Sequence, residues 1–501
     1  MTDRGDQRLT YRFGPLERRG IFGSVRAGQA ILLAGGAAAA IVALDLSPTA
    51  AGGSVAVLLF GAAAVLAFAP FGRRSAEEWA PIVALFLGRR LRGRRLFASI
   101  APPSGIVARG VGGRRLRLGS PAPDPPPCLR GTALLENAYR ERSIGVVSEA
   151  RGRRLTTVLA AQVVAFSLLD PEAQERRLAR WGLVLSGAAG TPIRRIQWIE
   201  RTAPAQGDEL ARWLHAERDP GVPLRGTAMI DSYLELIGTT AKVTQEHEIL
   251  VAVQVDAHRV RERGEDAALR ALIEQTERVA QGLEAAEVSV LGALSPGQLA
   301  RALRTAFDPY ARSELAALET VDPAQGRLRE SSAWPLGARE HWDHYLSDGA
   351  VHATYWIGGW PRVDVSPLFM DALLGRSSAV RTVAVTIEPI SPERSTRQVE
   401  AAVTRDRADR ELRRRFGQSE TARQRQAGEA TARREAELAA GHSEVRLAGF
   451  VTVTGRDTDD LRRACSEVHE HAARARIELH RMYGQQAQAF TFTLPICRGL
   501  R

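Results

Sequence analysis

The 501-residue chain carries 68 Lys and Arg against 57 Asp and Glu, a net charge of +11 at pH 7. Lys242 is its one lysine; so uniform an arginine bias reads as high-GC codon usage as much as selection, and direct nucleic-acid binding is not expected from the charge alone. The three cysteines, Cys128, Cys465 and Cys497, lie far apart, which excludes a disulfide framework and a cysteine-rich metal site.

Residues 1–26 form a basic segment with Arg4, Arg8, Arg12, Arg18, Arg19 and Arg26. Two apolar blocks come next, Ala27 to Leu46 and Gly52 to Phe71. Each has about the 20 residues that cross a hydrocarbon core as a helix. The link between them, Ser47 to Ala51, is long enough only for a tight turn, so residues 27–71 read as a transmembrane helical hairpin. A cleaved signal peptide has a single, shorter apolar region. Beyond the second block stand Arg73, Arg74, Arg89, Arg90, Arg92, Arg94 and Arg95, whereas the turn has no basic residue. Basic flanks stay in the cytoplasm, so both termini are expected there, with Asp45 snorkelling to the outer interface. Gly35, Gly36, Ala40 and Gly61 offer small surfaces for helix packing. Residues 72–100 read as a juxtamembrane interfacial helix, with Glu77 and Glu78 in its first turn and Trp79 among arginines; its apolar run is too short to span.

Residues 101–136 are rich in Pro, Gly and Arg and read as a linker, most plainly at Pro121 to Pro127,. From residue 137 strands and helices alternate, in a first α+β subdomain (137–310) and a second (311–501). Strands are expected at Ser143–Glu149, Leu155–Leu168, Ile193–Arg201, Glu248–Asp256 and Glu287–Leu291. Helices are expected from Asp170-Pro171 to about Gly187, at Asp208–Ala216, Ala228–Ala241 and Asp266–Glu284, and from Ser295-Pro296 to about Ala306. Tyr310 to Arg339 reads as irregular. The second subdomain has expected strands at Val351–Ile357, Arg381–Glu388, Ser443–Thr454 and Arg476–Leu479, with helices opening at Ser366-Pro367 and spanning Asp457–Ala473. Between Ser391 and Ala440 lies a charge-dense helical arm (391–440), either solvated and partly disordered or a helical hairpin or coiled coil. The pattern fits an α+β fold: a membrane hairpin, then a cytoplasmic α/β sandwich with helices on one face of a mainly antiparallel sheet.

Catalytic signatures are missing. Lys242 sits in Thr239-Thr240-Ala241-Lys242-Val243 without the glycines of a phosphate-binding loop,. Gly110-Val111-Gly112-Gly113 lies in the linker and reads as a loose loop. His341-Trp342-Asp343-His344 has no further ligand nearby in sequence, and His469-Glu470-His471 lacks the second histidine of H-E-x-x-H,. Ser186-Gly187 is outside any G-x-S-x-G,. Trp181, Trp198, Trp213, Trp334, Trp342, Trp356 and Trp360 are scattered and read as core and interface residues, not a base-stacking platform. No catalytic, cofactor or metal residue is therefore assigned.

Three family resemblances stand out. The stretch from Leu155 to Pro495 resembles the N-terminal domain of conjugation-type traffic ATPases of type IV secretion systems. The resemblance rests on Trp181 in PEAQERRLARWGLVL, the strand IRRIQWIER (Ile193 to Arg201), Met229 to Ile237, Val351 to Pro361, and a strand-helix-strand ending at Phe490-Thr491-Phe492-Thr493-Leu494-Pro495. In that family a nucleotide-binding domain comes after such an ending; here the sequence stops at Arg501. The first hundred residues resemble PrgI-like membrane proteins of conjugation clusters, with GRRSAEEW (Gly72 to Trp79) after the hairpin. The layout is also similar to EccE of type VII secretion systems, which has two N-terminal spanning helices and a cytoplasmic α/β domain.

These resemblances imply a non-enzymatic inner-membrane scaffold of an actinobacterial type IV-like, conjugative transfer apparatus. Its implied partners are the lipid bilayer, a separate conjugation-type ATPase, a polytopic channel protein and further copies of itself. The EccE-like alternative implies a membrane component of a type VII system.

Overall fold

The computed structural model describes residues 27–68, 74–99, 124–139, 142–163, 166–204, 245–262, 266–312, 333–361, 365–375, 377–415, 422–439 and 443–500, with a few single positions between them. The described chain divides into two compact units. One runs from Ala27 to Arg95 and includes Tyr483–Gln485; the other holds Leu96–Met482 and the residues from Gln486 onward.

The first unit is helical. Helix α1 covers Ala27–Leu46 and α2 covers Ala50–Phe68. The second helix starts two residues before the expected Gly52, because Thr49 caps it: its hydroxyl accepts from Gly52 N at 3.3 Å and its carbonyl from Gly53 N at 2.9 Å,. Gln29 Nε2 donates to Ala67 O at 3.0 Å and ties the open end of α1 to α2. Of the small residues, Gly36 faces Ala63 so closely that a Cβ there would collide, whereas Gly35 and Gly61 face open space. Both helices are long and apolar enough to cross a membrane. Helix α3, Ala76–Leu91, has Glu77 and Glu78 in its first turn and Arg89 and Arg90 in its last, matching the helix dipole at both ends,. Arg74 lies over the Trp79 ring and Arg95 over Phe86, so basic heads sit on aromatic faces along this segment.

Among the described residues, the second unit is built on one sheet of thirteen strands. They are β1 Leu96–Ala98, β2 Thr132–Tyr139, β3 Arg142–Glu149, β4 Arg154–Gln162, β5 Ile193–Pro204, β6 Gln245–Asp256 and β7 Ser289–Ala293, then β8 Gly337–Glu340, β9 Tyr345–Ser347, β10 Ala350–Gly359, β11 Val380–Pro389, β12 Val445–Gly455 and β13 Glu478–Arg481. The order across the sheet is β1-β8-β9-β10-β12-β11-β5-β6-β4-β3-β2, with β13 also on β10 and β7 also on β4. Each described pairing is antiparallel. The β3–β4 turn places Ala150, Arg151 and Gly152 at positive φ, which Gly152 adopts without steric cost,.

Helices cover both faces of this sheet, not one as the sequence pattern suggests. On one face lie α4 (Pro171–Ala188) and α5 (Ala267–Ala285) over β4–β6, then α7 (Asp371–Leu374) and α10 (Thr458–Arg474) over β10–β12. On the other lie α6 (Pro296–Phe307), α11 (Gln486–Phe490) and the C-terminal residues. Strand β5 shows why: Ile196 points to one core and Ile199 to the other, both fully buried, so alternation along the strand separates two interiors, not inside from outside.

Further differences from the sequence reading have local causes. The expected linker ends early: Leu129 is buried in a short 3-10 turn, Pro127–Leu129, and β2 begins at Thr132. Likewise β1 lies within the stretch read as juxtamembrane helix, drawn into the sheet by pairing with β8. The two expected subdomains, 137–310 and 311–501, share one continuous sheet, because β5 and β11 pair across the break. Strand β4 stops at Gln162, and Phe166–Leu168 is a 3-10 turn. Part of the irregular stretch forms β8. Only the four-residue α7 comes after Ser366-Pro367. Phe490–Leu494 is no strand but the end of α11 and a 3-10 turn, Thr491–Thr493, since Thr491 and Thr493 return their hydroxyls to Gln488 O and Phe490 O. The arm contains two helices packed on each other, α8 (Pro392–Arg415) and α9 (Ala422–Ala439). The helices expected at 208–216 and 228–241 lie outside the described residues.

Candidate functional site

Among the described residues, those singled out for chemistry are not brought together. His341 and His344 stack at 4.3 Å in the β8–β9 turn, and His344 Nδ1 lies 2.8 Å from Asp343. His469 Nδ1 lies 2.7 Å from Cys465 O, within α10, and its ring meets Tyr355 edge-on. Among the described residues no group of three His, Cys, Asp or Glu side chains is placed to hold a metal. Ser186 donates back to Leu183 O within α4. Lys242, Trp213 and Gly110–Gly113 lie outside the described residues. Trp181 and Trp198 pack on the cores and Trp334 is buried. The three cysteines are free thiols; burial pushes Cys128 up to about 12 and Cys497 higher still, so neither is a ready nucleophile,.

What sequence reasoning missed is a buried polar seam on the α6/α11 face. Gln197 on β5 donates to Phe492 O at 2.8 Å and accepts from Cys497 N at 2.7 Å. Gln254 on β6 donates to Ile496 O. Arg195 reaches Cys497 O at 3.2 Å and Leu500 O at 2.6 Å, and pairs with Glu388 across the β5–β11 junction at 3.4 Å. Thr386 donates to Arg498 O, and Arg498 in turn pairs with Glu149 and donates to Cys128 O. The last residues are thereby strapped across the middle of the sheet. The sequence signal was present: Arg195 and Gln197 alternate with Ile196 and Trp198, which marks a polar but covered side.

His352 completes the seam. It is fully buried, with Nε2 2.9 Å from Ser347 Oγ and 3.0 Å from Phe307 O, and Nδ1 2.9 Å from Thr454 Oγ1. Burial lowers its pKa to about 4, so it is neutral at pH 7. Burial likewise lowers Arg201, which Glu248 partly compensates at 3.1 Å, and Arg381, which faces Glu200 and Glu467. Arg201 Nη1 donates to Glu248 and Thr305 and Arg381 Nη2 to Gly375 O, whereas Arg201 Nε and Nη2 and Arg381 Nη1 are buried without a hydrogen-bond partner.

Residues 243–357 match a family. Its description reads "Putative type VII ESX secretion system translocon, EccE". The matched stretch runs from just before β6 to Ile357 in β10, through α5, β7, α6, β8 and β9. No curated protein matches the chain. The match falls on the EccE resemblance and leaves the conjugation-type ones without support; the strand expected at the Phe490–Leu494 ending is helical instead. With the two membrane-length helices, the coarse agreement is with a membrane component of a secretion system.

Proposed function

We propose that the chain is a non-enzymatic membrane component of a type VII-like secretion machine, anchored by α1 and α2 with both termini in the cytoplasm. Its sheet unit serves as a scaffold on which a separate ATPase and other membrane subunits assemble. The observation that carries this reading is the EccE match over β6–β10, in a chain whose N-terminal helices have membrane length. Orientation is supported by arginines on both outer flanks of the hairpin and their absence from the turn,. A scaffold role is supported by the use of buried polar groups such as Gln197, Arg195 and His352 in internal bonds.

The test is affinity purification of the full-length protein from membranes in mild detergent, with mass spectrometry of the eluate. A type VII ATPase and its membrane partners are expected. A conjugation-type ATPase with a polytopic channel protein would return the chain to the first resemblance, and an eluate without any secretion ATPase would remove the docking role.

A further inference from the structure

We infer that residues 132–307 and 337–493 are two copies of one module, and that the β5–β11 junction is a dimer interface between like modules made permanent within one chain. The partner that each half of the sheet unit fits is thus a second copy of that half. This goes beyond the proposed secretion role and does not depend on it.

The sheet order states the symmetry. From the junction outward one side reads β5, β6, β4, β3, β2 and the other β11, β12, β10, β9, β8. Each half has the same chain order: three strands, a helix on the first face, a strand, a long connection, a strand, a helix, a short strand on the third strand's other edge, and a helix on the opposite face. The short strands β7 and β13 both pair antiparallel, with β4 and β10, and both pairings contain a register shift. Strands β5 and β11 both end at a proline, Pro204 and Pro389, and pair antiparallel, as a two-fold axis requires of equivalent strands. Their central pair is Ile199 with Ala384.

The correspondence reaches single residues in α5 and α10. The buried positions Leu272, Gln275, Thr276, Val279 and Leu283 recur in the same spacing as Leu461, Ala464, Cys465, Val468 and Ala472. Both helices end on a non-glycine residue in the left-handed region, Glu287 (φ 61°) and Arg476 (φ 55°), a conformation few such residues adopt,. The closing bonds repeat: Ala286 N to Gly282 O, Glu287 N to Glu284 O and Val288 N to Leu283 O, then Ala475 N to His471 O, Arg476 N to Ala473 O and Ile477 N to Ala472 O.

Each half also sends the end of its last helix, or the residues just after it, to the other. Phe307 O, closing α6, accepts from Ser347 and lies against His352 on β9 and β10. The residues after α11 are taken by Gln197 and Gln254 on β5 and β6. Reciprocal exchange of this kind is what a symmetric dimer shows. The exposed positions have diverged: Glu287 binds Arg177 and Arg180, where its counterpart is Arg476.

The test uses the full-length protein in detergent, with the native cysteines replaced by alanine and nitroxide labels on exposed helix positions. A two-fold axis makes the distance from 274 to 473 equal to that from 463 to 284, and the distance from 281 to 463 equal to that from 470 to 274. Coincident distance distributions within both sets are expected. Maxima that differ within either set by more than one strand spacing, about 5 Å, would overturn the duplication. If the cysteine-free protein does not fold, an experimental structure of the unaltered chain gives the same decision: superposing the two halves must need a rotation near 180°, and a translation would overturn it.

Discussion

Acidification tests the buried seam through His352. The imidazole is fully buried, and its pKa falls from 6.5 to about 4 because burial disfavours the charged ring. The folded state therefore binds this proton less readily than the unfolded chain. Stability from the neutral ring is complete above pH 6.5 and is lost as pH falls toward 4. A shift of that size corresponds to about 3 kcal/mol in all, of which about 2 kcal/mol is lost by pH 5. Replacing the ring with a neutral amide, His352→Gln, removes the titration while keeping hydrogen-bonding groups near Phe307 O and Thr454. Denaturant unfolding of the full-length protein, monitored by tryptophan fluorescence at pH 7.5 and pH 5, is the assay. The variant is expected to be less stable at pH 7.5 but to lose about 2 kcal/mol less than the wild type on acidification. Equal pH dependence in both proteins, or an imidazole that titrates near 6.5 by NMR, would refute the assignment.

Ending the chain after Thr493 removes the fully buried Leu494, Ile496 and Cys497 and takes from Gln197, Gln254 and Arg195 their bonds to Cys497 N, Ile496 O and the Cys497 and Leu500 carbonyls. At about 2 kcal/mol for each buried aliphatic side chain and about 1–3 kcal/mol for each unpaired polar group, the loss rivals the stability of a whole domain; limited proteolysis should show collapse of the sheet unit, and unchanged resistance would contradict the strap. A Cβ on Gly145 would stand 2.8 Å from Leu299 Cδ2 and 3.1 Å from the Pro296 backbone, so Gly145→Val is expected to cost about 1–3 kcal/mol, read as a lower melting temperature, and an unshifted transition would show that α6 can move away freely. Leu58→Arg, at an exposed position in the middle of α2, adds about 2.5–3.5 kcal/mol to membrane insertion; less carbonate-resistant protein is expected, and full resistance would count against the hairpin.

Much of the local structure is legible in the sequence, for reasons visible at particular residues. Asp170 and Ser295, each before a proline, read as caps. Asp170 accepts from Ala173 N at 2.7 Å, and Ser295 forms a capping box with Gln298. Strand β5 is legible from its alternation, but alternation cannot say how many layers cover a strand, and the second helical layer goes unseen. Phe490-Thr491-Phe492-Thr493-Leu494 has the two-residue period of a strand. It forms helical turns because its threonine hydroxyls satisfy carbonyls within the same turn and Gln197 captures Phe492 O. Bonds such as Arg195 to Leu500 join residues hundreds of positions apart, and nothing local announces them. The repeat is hidden because the two copies retain spacing, not identity: Leu272 and Val279 return as Leu461 and Val468, but Gln275 and Thr276 return as Ala464 and Cys465.

The family match and the repeat bear on each other. The matched residues begin at β6, within the first half of the sheet, and end in β10, within the second. They lie on both sides of the β5–β11 junction without including it. The match therefore covers not one module but the closing part of the first and the opening part of the second. These two parts are held in place by Phe307 against Ser347 and His352 on one side and by β5 against β11 on the other. If assembly depends on the matched stretch, it depends on the junction as well. A substitution that separates Ile199 from Ala384 would then disturb it from a position that touches no partner, which is how damage to a buried dimer seam differs from damage to a docking surface.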